Sequence, residues 1–337
     1  MTEIVSTAAP PERADRELHQ ATRPFARESS VRSWWHVGST FALLACALTG
    51  AAVTPWWPVR LVAALLGALL LVRTFILYHD FMHGSILPGS KAARAVFYTY
   101  AAVNLTPPRS WRDSHNFHHA NVGRIASSNV GSFELMTAEM WLKASRSQRM
   151  RYRVTRHPLT ILFAYLTIFF FSVTLLSLLR HPTRYWDSAL ALLAHGTAIT
   201  ALWVLGGFDA VFFAILLPMT MAAALGGYLF YAQHSFPGIR ILPDAEWTMY
   251  RASLASSSYL KLGSVLRWFT GNIGFHHVHH LNSLIPFYRL PDAMAAIPEL
   301  QNPGVTSLRP RAIAACFRAN LWDDVRGCMI DYRDAGS

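Results

Sequence analysis

Charged residues are scarce in this chain. Only 15% of its 337 residues are Asp, Glu, Lys or Arg, and 53% are hydrophobic, whereas soluble domains average about 25% charged residues. The mean hydropathy is +0.25, and the apolar residues lie in long runs of the kind that cross bilayers. These features exclude a pair of ordinary soluble domains and predict an all-α integral membrane protein.

Cysteines and phosphate-binding loops are also scarce. Cys46, Cys316 and Cys328 form no CxxC motif, so we expect neither a disulfide framework nor a cysteine-bound metal. The sequence contains no GxxxxGK[ST] or GxGxxG pattern that would indicate a nucleotide-binding loop. The first apolar run starts near Trp34, behind a polar segment, and we expect no secretory signal peptide.

Acidic residues are fewer than basic ones, and the formal net charge is +11. A basic excess suits nucleic acid or anionic lipid, but no basic run is interleaved with stacking aromatic residues, so we expect no nucleic acid partner. Lipid headgroups on the cytoplasmic side fit better, because basic residues mark cytoplasmic loops. The densest basic run is Lys143, Arg146, Arg149, Arg151, Arg153 and Arg156.

Two pairs of apolar runs predict two transmembrane hairpins. Residues 34–53 and 59–78 are about the length needed to cross a bilayer, and 188–206 and 208–231 form the second pair. We expect 159–179 not to cross, because basic residues flank it on both sides and a crossing would separate His234 from the other histidines. The run 95–105 is too short to span and predicts a re-entrant or interfacial turn. Arg73, near the foot of the second span, is expected to extend toward the headgroups.

Histidine is concentrated in four places. His79 and His83 stand at i and i+4, and His234 lies alone after the last apolar run. The spacing i, i+3, i+4 occurs twice and places three imidazoles on one face of a helix. The two triplets are His115, His118, His119 and His276, His279, His280.

We predict that these nine histidines converge on one metal site. A structural zinc site needs four ligands, so nine suit two metal ions held in a cytoplasmic helical cap. Neutral imidazole binds Zn, Cu, Fe or Ni, and the Glu-x-x-His pattern of soluble helical di-iron proteins is absent. His277 points elsewhere, and His195 is expected to be a packing residue. The candidates for orienting the ligands are Asp80, Asp113, Glu246 and Asn272.

The sequence resembles the membrane fatty acid desaturase family, in particular its bacterial acyl-lipid type similar to Δ5- and Δ12/ω6-desaturases. Three motifs carry the resemblance, which covers roughly residues 34–295. They are His79-Asp80-Phe81-Met82-His83-Gly84-Ser85, then Trp111-Arg112-Asp113-Ser114-His115-Asn116-Phe117-His118-His119, and Asn272-Ile273-Gly274-Phe275-His276-His277-Val278-His279-His280 with Ile285-Pro286-Phe287-Tyr288 beyond it. His234 matches the family's extra histidine.

This resemblance implies a non-haem centre of two Fe ions bound by the nine histidines. It implies a reaction in which O2 and two electrons serve to introduce a cis double bond into an acyl chain of a membrane lipid. The N-terminal segment does not match a cytochrome b5 domain, so a separate electron donor of the ferredoxin or cytochrome b5 type is expected. The expected location is a bacterial inner membrane, with several passes and the active site on the cytoplasmic side.

Two alternatives remain open. A carotenoid ketolase or hydroxylase of the same superfamily would have similar iron ligands but an oxygenated product. A membrane metal-binding protein or transporter should have polar or ionisable residues in the middle of its spans, and these spans have almost none.

Three segments are expected. Residues 1–32 form a disordered cytoplasmic tail because they are polar and contain Pro10, Pro11 and Pro24. Residues 33–295 form the membrane desaturase domain, with about four transmembrane helices in two hairpins plus interfacial or re-entrant helices. Residues 296–337 form a cytoplasmic C-terminal tail.

Overall fold

The computed structural model describes residues 15–336 of the chain, and these are mostly helical. Three helical segments are long and apolar enough to cross a membrane, namely Ser30–Val53, Trp57–His83 and Trp186–His234. The prediction of an all-α membrane protein is therefore confirmed, with two small two-stranded sheets in addition.

The α-helices of residues 15–336 are numbered in chain order. They are α1 Asp15–Thr22, α2 Ser30–Val53, α3 Trp57–His83, α4 Lys91–Val103, α5 Pro108–Ala120, α6 Ala138–Lys143, α7 Arg146–Thr155, α8 Pro158–Leu162, α9 Ser177–Arg180, α10 Trp186–Val211, α11 Leu217–His234, α12 Met249–Ala255, α13 Ser264–Phe269, α14 His276–Leu281, α15 Leu290–Ala296 and α16 Pro310–Arg318.

Helices α2 and α3 form the first hairpin. The side chain of Ser29 caps α2 by accepting a hydrogen bond from the Arg32 backbone N–H. Helix α3 begins at Trp57 with a proline in its first turn and ends at His83. The next residue is Gly84, whose φ of 76° suits glycine just beyond a helix C-terminus. The last turn of α3 carries His79 and His83 to the edge of the hairpin.

The 49-residue segment Trp186–His234 consists of two arms that break at Gly207, where φ is 67° and ψ −164°. A one-turn π-helix, Phe212–Leu216, precedes α11. Asp209 near the break pairs with Arg60 at the start of α3, with Nη1 and Oδ2 3.2 Å apart. The break predicted at residues 206–209 thus lies beside the turn of the first hairpin, and α11 returns to the histidines.

The apolar run 159–179 forms no helix of spanning length. It contains α8, a π-helix at Tyr165–Leu176 and α9, and Tyr165–Arg180 falls among the shorter apolar helices. The C-terminal part of this π-helix contacts the start of α5, where Ser110 Oγ donates to the Val173 carbonyl oxygen at 3.1 Å. Each helix of this run is shorter than the four helices α2, α3, α10 and α11 of the two hairpins.

The last part of the chain packs against the cap, the region that includes strand β1 (Ser258–Lys261) and the helices α12 to α14 around the third histidine motif. Strand β1 pairs in parallel with β2, Gly304–Ser307. A second antiparallel pair joins β3, Leu321–Asp323, to β4, Cys328–Ile330. Tyr152 donates to the carbonyl of Asn320 at 2.5 Å, so the segment expected as a C-terminal tail is built into the same body.

The expectation of a disordered tail is wrong for residues 15–32, while residues 1–14 lie outside the described part of the chain. Helix α1 is followed by a 3-10 helix at Arg23–Ala26. Thr22 accepts a hydrogen bond from Asn282 at 2.8 Å, and the Glu28 carboxylate accepts one from the Leu87 N–H at 2.6 Å. These partners lie far along the chain, so local composition did not reveal them.

Arg73 does not extend toward the headgroups as expected, because the cap covers it. Its side chain is 1% exposed, and it donates to Thr40 and to the backbone carbonyl of Trp268. The guanidinium also lies 3.9 Å from the centre of the Trp268 ring. Arg73 therefore joins the first hairpin to α13 of the cap.

Candidate metal centre

Four elements deliver the nine predicted histidines to one place. The last turn of α3 carries His79 and His83, and the last residue of α11 is His234. Helices α5 and α14 carry one triplet each. Helix α5 begins at Pro108, directly after Pro107. Proline favours the first position of a helix, so it sets where α5 starts before the histidine triplet.

The nine imidazoles divide into two groups, and the candidate ligand atoms of each group lie within 4.8 Å of one another. Each triplet is divided between the two groups. Helix α5 contributes two histidines to the first group and one to the second, and α14 contributes one to the first and two to the second. The first group is His79, His83, His115, His119 and His279, and the second is His118, His234, His276 and His280. The groups touch, since the rings of His119 and His280 stack with centres 4.2 Å apart.

The nitrogen spacing within the second group fits a shared ion. The Nε2 atoms form a closed ring, in which His118 and His234 are 3.1 Å apart and His234 and His276 are 2.8 Å apart. The remaining sides, from His276 to His280 and back to His118, are 3.1 and 3.3 Å. Imidazole nitrogens lie about 2.0–2.1 Å from a transition metal, so neighbouring ligands of one ion are about 3 Å apart.

The first group has the same spacing. Nε2 of His115 lies 3.0 Å from that of His83 and 3.1 Å from that of His119, which in turn lies 3.2 Å from that of His279. A donor set made only of imidazole suits Zn, Cu, Fe or Ni. The residues present therefore fit two metal ions.

Two outer hydrogen bonds fix which nitrogen faces inward. His79 Nδ1 lies 3.2 Å from Asp80 Oδ1, and His234 Nδ1 lies 3.1 Å from the carbonyl oxygen of Ser256. An oxygen acceptor at Nδ1 requires the proton to be there, which leaves the Nε2 lone pair free for a metal. The second carboxylate oxygen of Asp80 accepts from the Phe287 N–H at 2.7 Å, so Asp80 is itself held.

Burial keeps the cap histidines neutral. Desolvation lowers the pKa of each of the six histidines on α5 and α14 well below its ordinary value, and the neighbouring imidazoles lower it further. Each charge would be costly in this environment. Neutral imidazoles are the form that binds a metal.

The other candidates for orienting ligands are placed differently. Asp113 lies at the mouth of a cavity and pairs with Arg184, with its Oδ2 2.6 Å from Nη2. Asn272 donates to the Phe287 carbonyl at 3.0 Å. Phe287 in turn donates its N–H to Asp80, which faces His79, so Asn272 is linked to the histidines only indirectly. Within residues 15–336 no contact joins Glu246 to a histidine, and its backbone N–H donates to Pro243.

His277 and His195 stand outside both groups, as the sequence predicts. His277 Nε2 lies 3.0 Å from the Leu300 carbonyl. His195 lies between Tyr165 Oη at 2.6 Å and the Val103 carbonyl at 2.7 Å. Both are buried in the interior, and each has a ring nitrogen within hydrogen-bond distance of a backbone carbonyl.

Sequence reasoning missed two contacts of the site. The Trp111 ring stacks on His115 with centres 4.5 Å apart and an angle of 23°, although Trp111 lies in the second motif and could have been suspected there. The Ser256 carbonyl at His234 had no signal, because any residue can supply a backbone carbonyl.

A cavity of about 710 Å³ extends from the two histidine groups between the apolar helices α3 and α11, and its volume is typical of ligand sites. It contacts His79 and His115 of the first group and His276 of the second. Along α11 its lining runs from Gln233 to Met219, or about 21 Å at the rise of a helix. The apolar inner walls include Leu71, Val72, Phe75, Ile76, Phe169, Leu229 and Phe230.

Comparison with known proteins identifies this arrangement. The chain matches the fatty acid desaturase family over residues 55–311. It belongs to that family. The two histidine groups and the long apolar cavity are thus found in a member of the fatty acid desaturase family.

Several relatives have more specific names. The chain is 29% identical to a fatty acid desaturase of Bacillus subtilis over 268 residues. The aligned region covers 78% of this chain and 74% of the Bacillus subtilis protein. It is 23% identical to an sn-1 oleoyl-lipid 12-desaturase of Synechocystis sp., covering 86% and 84% of the two chains. It is 27% identical to an acyl-lipid omega-3 desaturase (cytochrome b5) of the endoplasmic reticulum from Arabidopsis thaliana, covering 80% and 71%.

Proposed function

We propose that this protein is an O2-dependent di-iron desaturase that introduces a cis double bond into an acyl chain of a membrane lipid. One observation carries the proposal, namely that the same elongated apolar cavity contacts both histidine groups. A chain in this cavity would pass both ions at a fixed depth. The names of the relatives from Synechocystis and Arabidopsis support a lipid-bound acyl substrate.

The proposed reaction converts –CH2–CH2– to –CH=CH–. The two hydrogens removed, two further protons, two electrons and one O2 give two molecules of water. O2 is the oxidant, and the bound iron ions would activate it for removing hydrogen from unactivated methylenes. The proposed ligands are His79, His83, His115, His119 and His279 for one ion and His118, His234, His276 and His280 for the other.

The chain's own residues supply position and a dry environment. Asp80 and the Ser256 carbonyl hold His79 and His234 in orientation. Trp111 lines the cavity and stacks on His115, so it fixes that ring while offering an apolar surface to the substrate. Walls contributed by α3, α11 and the π-helix Tyr165–Leu176 exclude water and hold one pair of methylenes opposite the metal centre.

The electron donor and the topology are part of the same proposal. We infer a separate ferredoxin or cytochrome b5 type donor, an option supported by the name of the Arabidopsis relative. We also infer a multi-pass protein of a bacterial inner membrane with its cap on the cytoplasmic side. The exposed basic residues of α7, including Arg146, Arg151 and Arg153, support that orientation.

The test is a fatty acid profile of a host that lacks desaturases, taken with and without this chain. Double bonds are located by mass spectrometry after derivatisation. We expect a new unsaturated fatty acid that requires iron and disappears in His118→Ala. His277→Gln is the matched control, because this buried histidine of the third motif lies outside both groups and glutamine still donates to the Leu300 carbonyl.

An unchanged profile from folded, iron-loaded protein with a supplied electron donor would overturn the proposal. In that case an oxygenated carotenoid would be the next product to seek. Loss of the product in His277→Gln as well as in His118→Ala would show that the assay reports folding and not the metal centre.

A further inference from the structure

The mouth of the cavity differs chemically from its interior. Arg180, His181 and Arg184 line the cavity and are exposed to solvent, whereas the inner wall residues Leu71 and Val72 are buried and apolar. Ser114 and Asn129 add hydrogen-bonding groups at the same end. An acyl chain in the interior would leave its polar end at this basic rim.

The rim retains positive charge that the protein does not neutralise. Arg184 donates through Nη2 at 2.6 Å and Nε at 3.1 Å to one carboxylate oxygen of Asp113. Tyr185 Oη lies 3.4 Å from the same oxygen. Arg180 has no carboxylate partner among residues 15–336. The rim therefore holds one compensated and one uncompensated arginine beside His181, an arrangement suited to an anion.

The surface beside the rim is apolar. Phe171, Leu179 and Trp186 are 53%, 68% and 52% exposed. The Arg109 guanidinium lies 5.2 Å from the Trp186 ring centre, so cationic and aromatic groups alternate here as they do at the level of lipid headgroups. The mouth thus faces a surface that acyl chains of the bilayer can contact.

We propose that the cavity mouth is a binding site for the phosphate of a diacyl glycerophospholipid. Arg180 binds the phosphate oxygens, with His181 and Arg184 beside it. One acyl chain enters the cavity, and the other rests on Phe171, Leu179 and Trp186. A soluble acyl thioester has no second chain for this apolar surface. The inference rests on the proposed desaturase function and names the carrier of its substrate.

Kinetics test the assignment. The iron-loaded full chain in vesicles is supplied with a ferredoxin and its reductase, and receives either diacyl phosphatidylglycerol or diacylglycerol of the same acyl composition. We expect Arg180→Gln to raise KM for the phospholipid about tenfold with little change in kcat, since a charge-assisted hydrogen bond is lost. Diacylglycerol, which lacks the phosphate, should show no such change, and Arg180→Lys should restore most of the KM.

Binding provides a readout that does not need the metal. Iron-free protein in detergent is mixed with phosphatidylglycerol, and the retained lipid is counted by mass spectrometry. Arg180→Gln should retain several-fold less lipid than the wild type. Arg146→Gln removes an exposed arginine that lies away from the cavity lining and should retain as much as the wild type.

Three outcomes would overturn the phosphate site. They are an equal rise in KM for diacylglycerol, unchanged KM and binding in Arg180→Gln, and turnover of an acyl-CoA but of neither lipid. All three outcomes require a wild-type enzyme that forms a double bond in at least one substrate. A wild type that forms no double bond in any substrate would instead overturn the proposed function, and the iron-free binding comparison would still test the site.

Discussion

Asp80 accepts hydrogen bonds on both carboxylate oxygens, one near His79 and one from the backbone of Phe287. An asparagine has only one acceptor oxygen, so it would oppose either the His79 Nδ1–H or the Phe287 N–H with its own amide hydrogens. The side chain therefore couples the last turn of α3 to the segment beyond the third histidine motif.

We predict that Asp80→Asn lowers metal affinity by about 10- to 100-fold, the usual effect of losing a partner of a histidine ligand. Metal per chain, measured by plasma mass spectrometry after dialysis against a graded chelator, tests this. Asp113→Asn is the matched control, since within residues 15–336 the Asp113 carboxylate contacts Arg184 and Tyr185 and hydrogen-bonds to no histidine. Equal metal loss in both variants would contradict the role given to Asp80.

The sequence predicts which histidines come together better than it predicts the residues that orient them. The spacing i, i+3, i+4 identified both triplets and excluded His277, because helix geometry alone determines which residues share a face. Asp80 and Asp113 were equal candidates by sequence, since each lies in a histidine motif. Only the tertiary structure shows that one carboxylate faces a histidine and the other faces a solvent-exposed arginine.

Helix α5 is held by the loop that follows it. Gly131 has a φ of 68°, and a Cβ atom there would lie 2.0 Å from the backbone oxygen of Ser114 and 3.2 Å from the Cβ of His118. The loop thus approaches the histidine helix more closely than any side chain would allow. This contact helps to determine where the histidine triplet of α5 lies.

We predict that Gly131→Ala destabilises the fold by about 3 kcal/mol, from the unfavourable φ together with the steric conflict, and that it lowers metal content. Gly89→Ala is the control, because Gly89 has a φ of 77° but nothing within 4 Å of the added Cβ. That variant should lose only about 1 kcal/mol and keep its metal. Thermal unfolding and metal analysis measure both effects, and indistinguishable variants would refute the steric argument.

The arrangement of elements was partly predictable. Hydropathy located both hairpins, and Gly206-Gly207 located the second turn, because spans and glycine turns are local features. Ser29 and Tyr288 form a hydrogen bond at 3.0 Å although 259 positions separate them, and Arg73 is covered by Trp268. Neither contact has a local signature, so residues 15–32 and Arg73 were misjudged.

At the scale of the molecule, the cavity joins a basic mouth, the metal centre and an apolar inner end. Its lining comes from separate elements, with Leu71 on α3, Tyr100 on α4 and Met219 on α11 near the inner end. From His79 to Leu71 the lining extends about 12 Å along α3. No local sequence pattern shows which residues line this space, because the lining is assembled from separate elements.

We predict that Leu71→Trp shortens the acyl chains that this enzyme accepts, because the larger side chain fills the inner end of the cavity. The measurement is competition among lipids with acyl chains of graded length. Leu66→Trp, on the same helix but 41% exposed, should leave the preference unchanged. If Leu71→Trp shows the wild-type length preference, this end of the cavity does not hold the chain terminus.

The central claim is that two groups of histidines hold two iron ions in one chain. The most direct measurement is the iron content of purified full-length protein, reconstituted with ferrous iron without oxygen and washed of loosely bound metal. Two iron ions per chain are expected, because both groups have the nitrogen spacing of ligands around one ion. One ion per chain, or none, would contradict the claim.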